Sequence, residues 1–298
     1  MKKPALISAV LDGSGTLIHD SHPGVAMPWW SVTKTVIATC LLKLADQGRV
    51  SLDETLPGKP YSARHLVTHQ AWVPNYTELE SYHQAIEAGE DPWSTDRLLN
   101  EVGADTLKHP PGKGWAYSNT GYLILRRYLE DACDAALGDL LQDTVLGPMG
   151  LSGVTLAENR NDMAVVPWPE AHAYHPGWVY HGCLLGSAAD AARFMHGLLA
   201  GHVLSPESLA QMTRPVMRDG PIPGRVWTEI GYGCGLMTGK AGNAGRVMGH
   251  SGCGPFSACF VGHVPDLTCT VASFCDKDDE APAEWDGIGW ALAVTRLS

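Results

Sequence analysis

The chain has 298 residues, enough to bury a large core, and its 45% hydrophobic and 18% charged residues exclude a disordered polymer. A formal net charge of -11 argues against nucleic acid or an anionic membrane as the main partner, since an acidic surface is repelled by both. Eight cysteines, at 40, 133, 183, 234, 253, 259, 269 and 275, form no Cys-x-x-Cys pair and no zinc spacing, so reduced thiols in a cytoplasmic protein are expected.

Residues 4–11 and 16–19 flank Asp12-Gly13-Ser14-Gly15 and predict a strand hairpin. The basic start Met1-Lys2-Lys3 is followed by an apolar run too short for a signal peptide. No later stretch has the length of a membrane span. The hairpin resembles a phosphatase loop but holds one aspartate where that loop needs two. From Thr33, the apolar residues Val36, Ile37, Cys40, Leu41 and Leu44 predict a helix with one buried stripe, closed by Gly48. Further helices are expected over 62–69, 78–88, 95–102, from Tyr122 to Ala132 after Tyr117-Ser118-Asn119-Thr120-Gly121, and over 137–145. Residues 160–183, rich in aromatics, proline and histidine, read as loop. Ser187 caps a helix through Leu199, and Ser205-Pro206 starts another. Strand-like runs then fall at 232–238, 246–250, 256–263 and 268–275, before a last helix over 284–296. Strands at both ends imply one sheet closed by the two termini. The expected organisation is an α/β lobe of 1–55 and 201–298 with a mostly helical lobe of 56–200 inserted, and the active site between them.

Ser31 and Lys34 stand three residues apart at the start of the first long helix, which puts both on one face. A lysine desolvated by a buried helix can lose its charge and take the proton of a serine hydroxyl. The bare pattern is also common as an N-cap serine beside a solvated lysine. Two more short motifs follow in order: Tyr117-Ser118-Asn119 and His250-Ser251-Gly252. The ordered triplet resembles the serine β-lactamase and penicillin-binding-protein superfamily. With tyrosine in the second motif, it is most similar to the branch of class C β-lactamases, D-alanyl-D-alanine carboxypeptidases and serine esterases. The stretches Gly48-Arg49-Val50-Ser51-Leu52-Asp53, Arg64-His65-Leu66-Val67-Thr68-His69 and Pro111 to Tyr122 resemble that branch too.

The resemblance implies an α+β, β-lactamase/transpeptidase-like fold, an antiparallel sheet flanked by helices. It implies Ser31 as nucleophile, Lys34 as its base and Tyr117 as proton-transfer partner, with Asn119 holding substrate and orienting Lys34. His250, Ser251 and Gly252 would line the substrate site, and the N–H groups of Ser31 and Cys253 would form an oxyanion hole. No cofactor or metal is implied; the partner is a small-molecule substrate. His250 stands where β-lactamases have lysine, which weakens attraction for a substrate carboxylate and favours esterase-like chemistry. Its charge, with that of Lys34, is expected to lower the Tyr117 pKa. The alternatives are a β-lactamase, a D-amino-acid-releasing peptidase, or a binding protein that kept the fold. Trp72 replaces a small turn residue and, with Trp178 and Tyr180, is expected to border the substrate. His172, His175 and His181 are expected to line a pocket or order their loop; a metal site would need a ligand set that the spacing does not supply. His65 and His69 are expected to be structural.

Overall fold

The structure, a computed structural model, describes residues 5–294. Residue 4 of the expected first strand and residues 295–296 of the expected last helix lie outside the described residues. The apolar runs of the two termini meet side by side. β1 (Leu6–Leu11) pairs antiparallel with β2 (Leu17–Asp20) and with β11 (Cys269–Cys275), Ser8 opposite Ser273. The sheet continues through β10 (Ala258–Val264), β9 (Arg246–Cys253), β8 (Met237–Lys240), β7 (Glu229–Tyr232) and β6 (Met217–Asp219). Its order is β2-β1-β11-β10-β9-β8-β7-β6, eight strands, all antiparallel. β11 is buried along its whole length because helices cover both faces of the sheet. On one face lies α9 (Ala281–Val294), with Ile288 among Val10, Phe260 and Val271. On the other lies α7 (Ala188–Leu199), against β1, β10 and β11. α7 falls inside the 56–200 range expected for the helical lobe, yet it belongs to the sheet layer, because its apolar side faces the strands.

α1 (Val32–Asp46) runs between sheet and helical lobe. It meets β9 and β10 on one side and α5 (Asn119–Cys133), α6 (Leu137–Leu141) and α8 (Pro206–Thr213) on others. Residues 32–42 are therefore all buried, and the single stripe expected from periodicity is a rod enclosed nearly all round. The rest of the lobe holds α2 (Ala63–Val67), α3 (Glu80–Glu87) and α4 (Thr95–Glu101). A second sheet, unexpected from sequence, joins β3 (Met27–Pro28), β5 (Cys183–Gly186) and β4 (Thr155–Ala157) in the order β3-β5-β4. It fixes the entry to α1: Trp29 N–H donates to the Leu184 carbonyl at 2.8 Å, and Leu184 N–H to Thr33 Oγ1 at 3.1 Å.

The run 232–238, expected as one strand, is the end of β7, a turn and the start of β8. Gly235 makes the turn at φ 64°, where a Cβ would stand 2.4 Å from the Ala38 methyl. That tight approach seats the hairpin on α1. No helix among the described residues is long and apolar enough to cross a membrane.

Candidate active site

Ser31 ends the loop from β3 and is the N-cap of α1. The residue before it, Trp30, has φ 42°, a left-handed conformation that is costly for a bulky side chain. It is held there: its indole N–H donates to Ser257 Oγ at 2.9 Å, and its ring meets Tyr174 and Phe256 edge-on. One turn on, Lys34 is fully buried, with Nζ 2.9 Å from Ser31 Oγ. Burial lowers the Lys34 pKa well below its ordinary value, and the Glu280 carboxylate offsets this only in part. The amine is thus pushed toward the neutral form, the form with a lone pair to accept the serine proton.

Tyr117 precedes α5, whose N-terminus Ser118 caps by accepting from Gly121 N–H at 3.1 Å. Its hydroxyl faces Ser31, and its ring centroid stands 5.1 Å from Lys34 Nζ. Burial raises the phenol pKa, the nearby Ser31 hydroxyl opposing it, so the resting phenol keeps its proton. This corrects the expectation of a depressed pKa. His250, expected to supply positive charge, is itself driven down to about 3 by burial and by Lys34, and is neutral.

The hydrogen bonds of His250 explain why. Ser118 N–H donates to His69 Nδ1 at 3.1 Å, so the His69 proton lies on Nε2, which meets Tyr232 Oη at 3.2 Å. The Tyr232 hydroxyl stands 3.0 Å from His250 Nε2, and His250 Nδ1 donates to the Ser251 carbonyl. One direction of donation satisfies every member with both imidazoles neutral. The chain ties the Tyr117 segment to β9, and His250 spends both nitrogens on it. His69 and Tyr232 were missed as site residues because 163 positions separate them.

Strand alternation separates the rest of the third motif. Ser251 points to the opposite face of the sheet and donates to Glu284 Oε1 at 2.6 Å, away from the cleft. Gly252 returns to the cleft face, where a Cβ would lie 2.6 Å from the Ser31 backbone nitrogen. Only a glycine lets β9 pass so close, and this brings Cys253 to the cleft beside Ser31. The cleft encloses about 330 Å³ and is lined by Ser31, Asn119 and Cys253 together with Tyr76, Tyr82 and Tyr174.

Other expected residues lie elsewhere. Trp72 packs against Gly114 and His109 on a surface loop, its indole donating to the Lys113 carbonyl at 2.8 Å. Trp178 and Tyr180 are buried behind the cleft, where they donate to the Glu90 and Trp93 carbonyls. Both stack edge-on behind wall residues, Trp178 on Tyr82 and Tyr180 on Tyr76, and so support the wall without forming it. Asn119 borders the cleft, but its amide meets Asn75 Oδ1 at 3.3 Å. The second partner of Lys34 is His181, with Nε2 3.1 Å from Nζ. His172 and His175 bond locally within their loop, and no group of three or more metal-ligating side chains converges among the described residues.

Several known proteins are similar to this chain. Penicillin-binding protein 4* of Bacillus subtilis is 23% identical over 85% of the chain and 61% of its own length. Esterase EstB of Burkholderia gladioli is 27% identical over 70% of the chain and 65% of its own length. The chain thus spans about three fifths of the length of these curated relatives. Among solved structures, a D-stereospecific amidohydrolase from Streptomyces sp. superposes with a TM-score of 0.79 at 22% identity, over 96% of this chain and 92% of that one. The D-amino acid amidase of Ochrobactrum anthropi SV3, with D-phenylalanine, gives a TM-score of 0.79 at 18% identity over 98% and 93%. These structures establish the fold, and the Beta-lactamase family profile, which matches residues 19–295, places the chain in that family of penicillin-recognising serine hydrolases.

Proposed function

We propose that the protein hydrolyses small esters, and more slowly amides or lactones, through an acyl-enzyme on Ser31. The observation that carries this reading is the buried amine of Lys34, 2.9 Å from Ser31 Oγ. In the first step the Ser31 proton passes to Lys34 while Oγ bonds to the substrate carbonyl carbon. The oxyanion faces the N-terminus of α1 and the strand at Cys253. Tyr117 then donates its proton to the leaving group and recovers one from the Lys34 ammonium, and the bond to the leaving group breaks. Water attacks the acyl carbon by the same route in reverse, giving its proton back through Tyr117, and Ser31 leaves protonated.

Charge in the cleft guides the choice of substrate. Its lining among the described residues includes one carboxylate, Glu87, and no lysine or arginine. A neutral His250 adds no attraction for a carboxylate, which disfavours β-lactams and C-terminal peptides. Aromatic walls favour a flat or apolar acyl group. A second reading, release of an amino-acid amide bearing a free ammonium, is favoured by Glu87 alone. The eight free thiols favour a reducing compartment, and we place the protein in the cytoplasm, which cell fractionation tests. A fluorophosphonate probe should label the wild type at Ser31 and leave Ser31→Ala unlabelled; labelling of the variant would refute the nucleophile. Rates on aryl esters, a chromogenic cephalosporin and D-amino-acid amides then rank the substrate classes, and cephalosporin turnover above ester turnover would reverse the esterase assignment.

A further inference from the structure

His181 lines the cleft and meets the amine of Lys34. It is 2% exposed, its Nε2 is 3.1 Å from Lys34 Nζ, and its buried Nδ1 reaches no partner in good hydrogen-bond geometry among the described residues, although the Trp30 carbonyl faces the ring. An unpaired buried nitrogen is a cost that an apolar side chain of similar size would not carry. The segment holding it is fixed to α1 through the Leu184 bonds to Trp29 and Thr33. Gly182, at φ 104°, turns the chain between them.

We propose that His181 is the positioning residue of Lys34: it accepts one N–H of the amine through Nε2 and so aims the lone pair at the Ser31 hydroxyl. The ring proton is then on Nδ1, and His181 remains an acceptor whether Lys34 is an amine or the ammonium formed during acylation. An ammonium in this enclosure has few other acceptors. Tyr117 and Tyr122 offer ring faces, at 5.1 and 5.7 Å. Glu280 acts on Lys34 through space alone, and Cys183 is a protonated thiol. His69 and His250 carry neutral rings used in their own chain, and Arg126, the other charge near His181, repels protonation of the imidazole. The role of orienting the lysine, which the motif resemblance assigned to Asn119, falls to a residue 147 positions from Lys34.

This inference rests on the serine-hydrolase reading, and the experiment separates the two. The probe is a fluorophosphonate, its labelling rate at Ser31 followed across pH for wild type, His181→Gln and His181→Leu. Glutamine keeps an acceptor; leucine fills the space without one. The leucine variant should label about 100-fold more slowly yet unfold at an equal or higher temperature, since it removes an unpaired polar atom. The acid limb of its profile should move to lower pH, because loss of the acceptor disfavours the ammonium. Glutamine should stay within about tenfold of wild type with its limb unmoved. Equal loss in both variants, together with a lower unfolding temperature and no movement of the limb, would mean a packing role and overturn the proposal. Should the leucine variant fail to fold, His181→Ala with added imidazole gives the same answer: the imidazole must raise the labelling rate, and no rise overturns the proposal. No labelling of the wild type would overturn the serine-hydrolase reading itself.

Discussion

Among the described residues Lys34 has no carboxylate partner in hydrogen-bond contact: Nζ meets Ser31 and His181 and faces two phenol rings. Its helix is enclosed by the sheet on one side and the helical lobe on the other, so desolvation decides its charge. Lys34→Arg keeps length and positive charge but cannot give up a proton. We expect that variant to lose at least about 1,000-fold in labelling rate and ester kcat, as removal of an obligatory base does. Activity within about tenfold of wild type would show that the cation, not the amine, matters. Tyr117→Phe removes the proton donor while keeping the ring beside Lys34, and kcat should fall about 100- to 10,000-fold with a smaller change in KM. His250 enters differently. With its pKa near 3 and both nitrogens engaged, it has no ionisation to contribute at working pH. The pH profile of His250→Gln should therefore keep the wild-type shape between about pH 5 and 9, whatever its height. A step that vanishes in the variant would restore a charged role for His250.

At the scale of elements, β9 is the strand that has to be placed to a fraction of an ångström, and it is held from both faces. On the cleft side the His69–Tyr232–His250 chain grips it. On the other side Ser251 binds Glu284 of α9, a carboxylate with no exposed surface that also accepts from the Trp227 indole at 2.8 Å and from Arg225. Glu284→Leu would strand the Arg225 charge and two further donors, and should cost about 3–5 kcal/mol of stability. Urea unfolding measures it, and a loss below about 1 kcal/mol would mean that Glu280, the other partner of Arg225, suffices. Much of this was legible beforehand. The periodicity from Thr33 and from Tyr122 located the two helices that carry the motifs, though the second begins three residues earlier, at Asn119, and terminal strand runs foretold the shared sheet. What sequence could not supply was direction. Alternation along β9 turns Ser251 away from His250, but the motif reads the same either way. Aromatic composition announced a walled cleft, yet Tyr76 and Tyr82 form the wall, Trp178 and Tyr180 back it, and Trp72 is remote. Tyr232 sits beside the motifs only through tertiary contact, with no local signal, and His181, marked by its histidine- and aromatic-rich stretch as a pocket residue, lines the cleft, but nothing local tells that it meets Lys34.

For the molecule as a whole, burying neutral groups at its centre sets the pH dependence of stability. His69 and His181 are held well below the ordinary imidazole pKa and His250 down at about 3, in each case chiefly by burial. The unfolded chain binds a proton at each of these histidines once the pH falls below about 6.5, and the native chain does not. Stability therefore falls as pH drops from about 6.5, with the His250 share of the loss complete only near its native value of about 3. Lys34 acts in the same sense over a higher window, between its lowered native pKa and the ordinary value of 10.5. The surface carboxylates Asp12, Asp53 and Asp266, lowered by hydrogen bonds and arginine contacts, add a loss that sets in only below about pH 4. Glu280 and Asp286, raised by burial, oppose the trend in the acid range, while the outer histidines His65, His175, His196 and His263, also lowered chiefly by burial, add to it. The buried phenols Tyr76, Tyr122, Tyr174 and Tyr232 are all raised, so above about pH 10 the unfolded chain loses protons that the native chain keeps, and stability falls again. Buried thiols such as Cys40, Cys183 and Cys259, raised from 9.0, bring the alkaline loss in earlier, so the expected optimum lies on the alkaline side of neutrality, between about pH 7 and 8.5. Urea midpoints at about pH 8.5, 7, 6 and 5 should decline through the last two steps, with a net uptake of at least about two protons on unfolding near pH 5. A midpoint that stays level from about pH 7 to 5 would mean that the central histidines are charged in the native state, and the neutral hydrogen-bond chain through β9 would have to be abandoned.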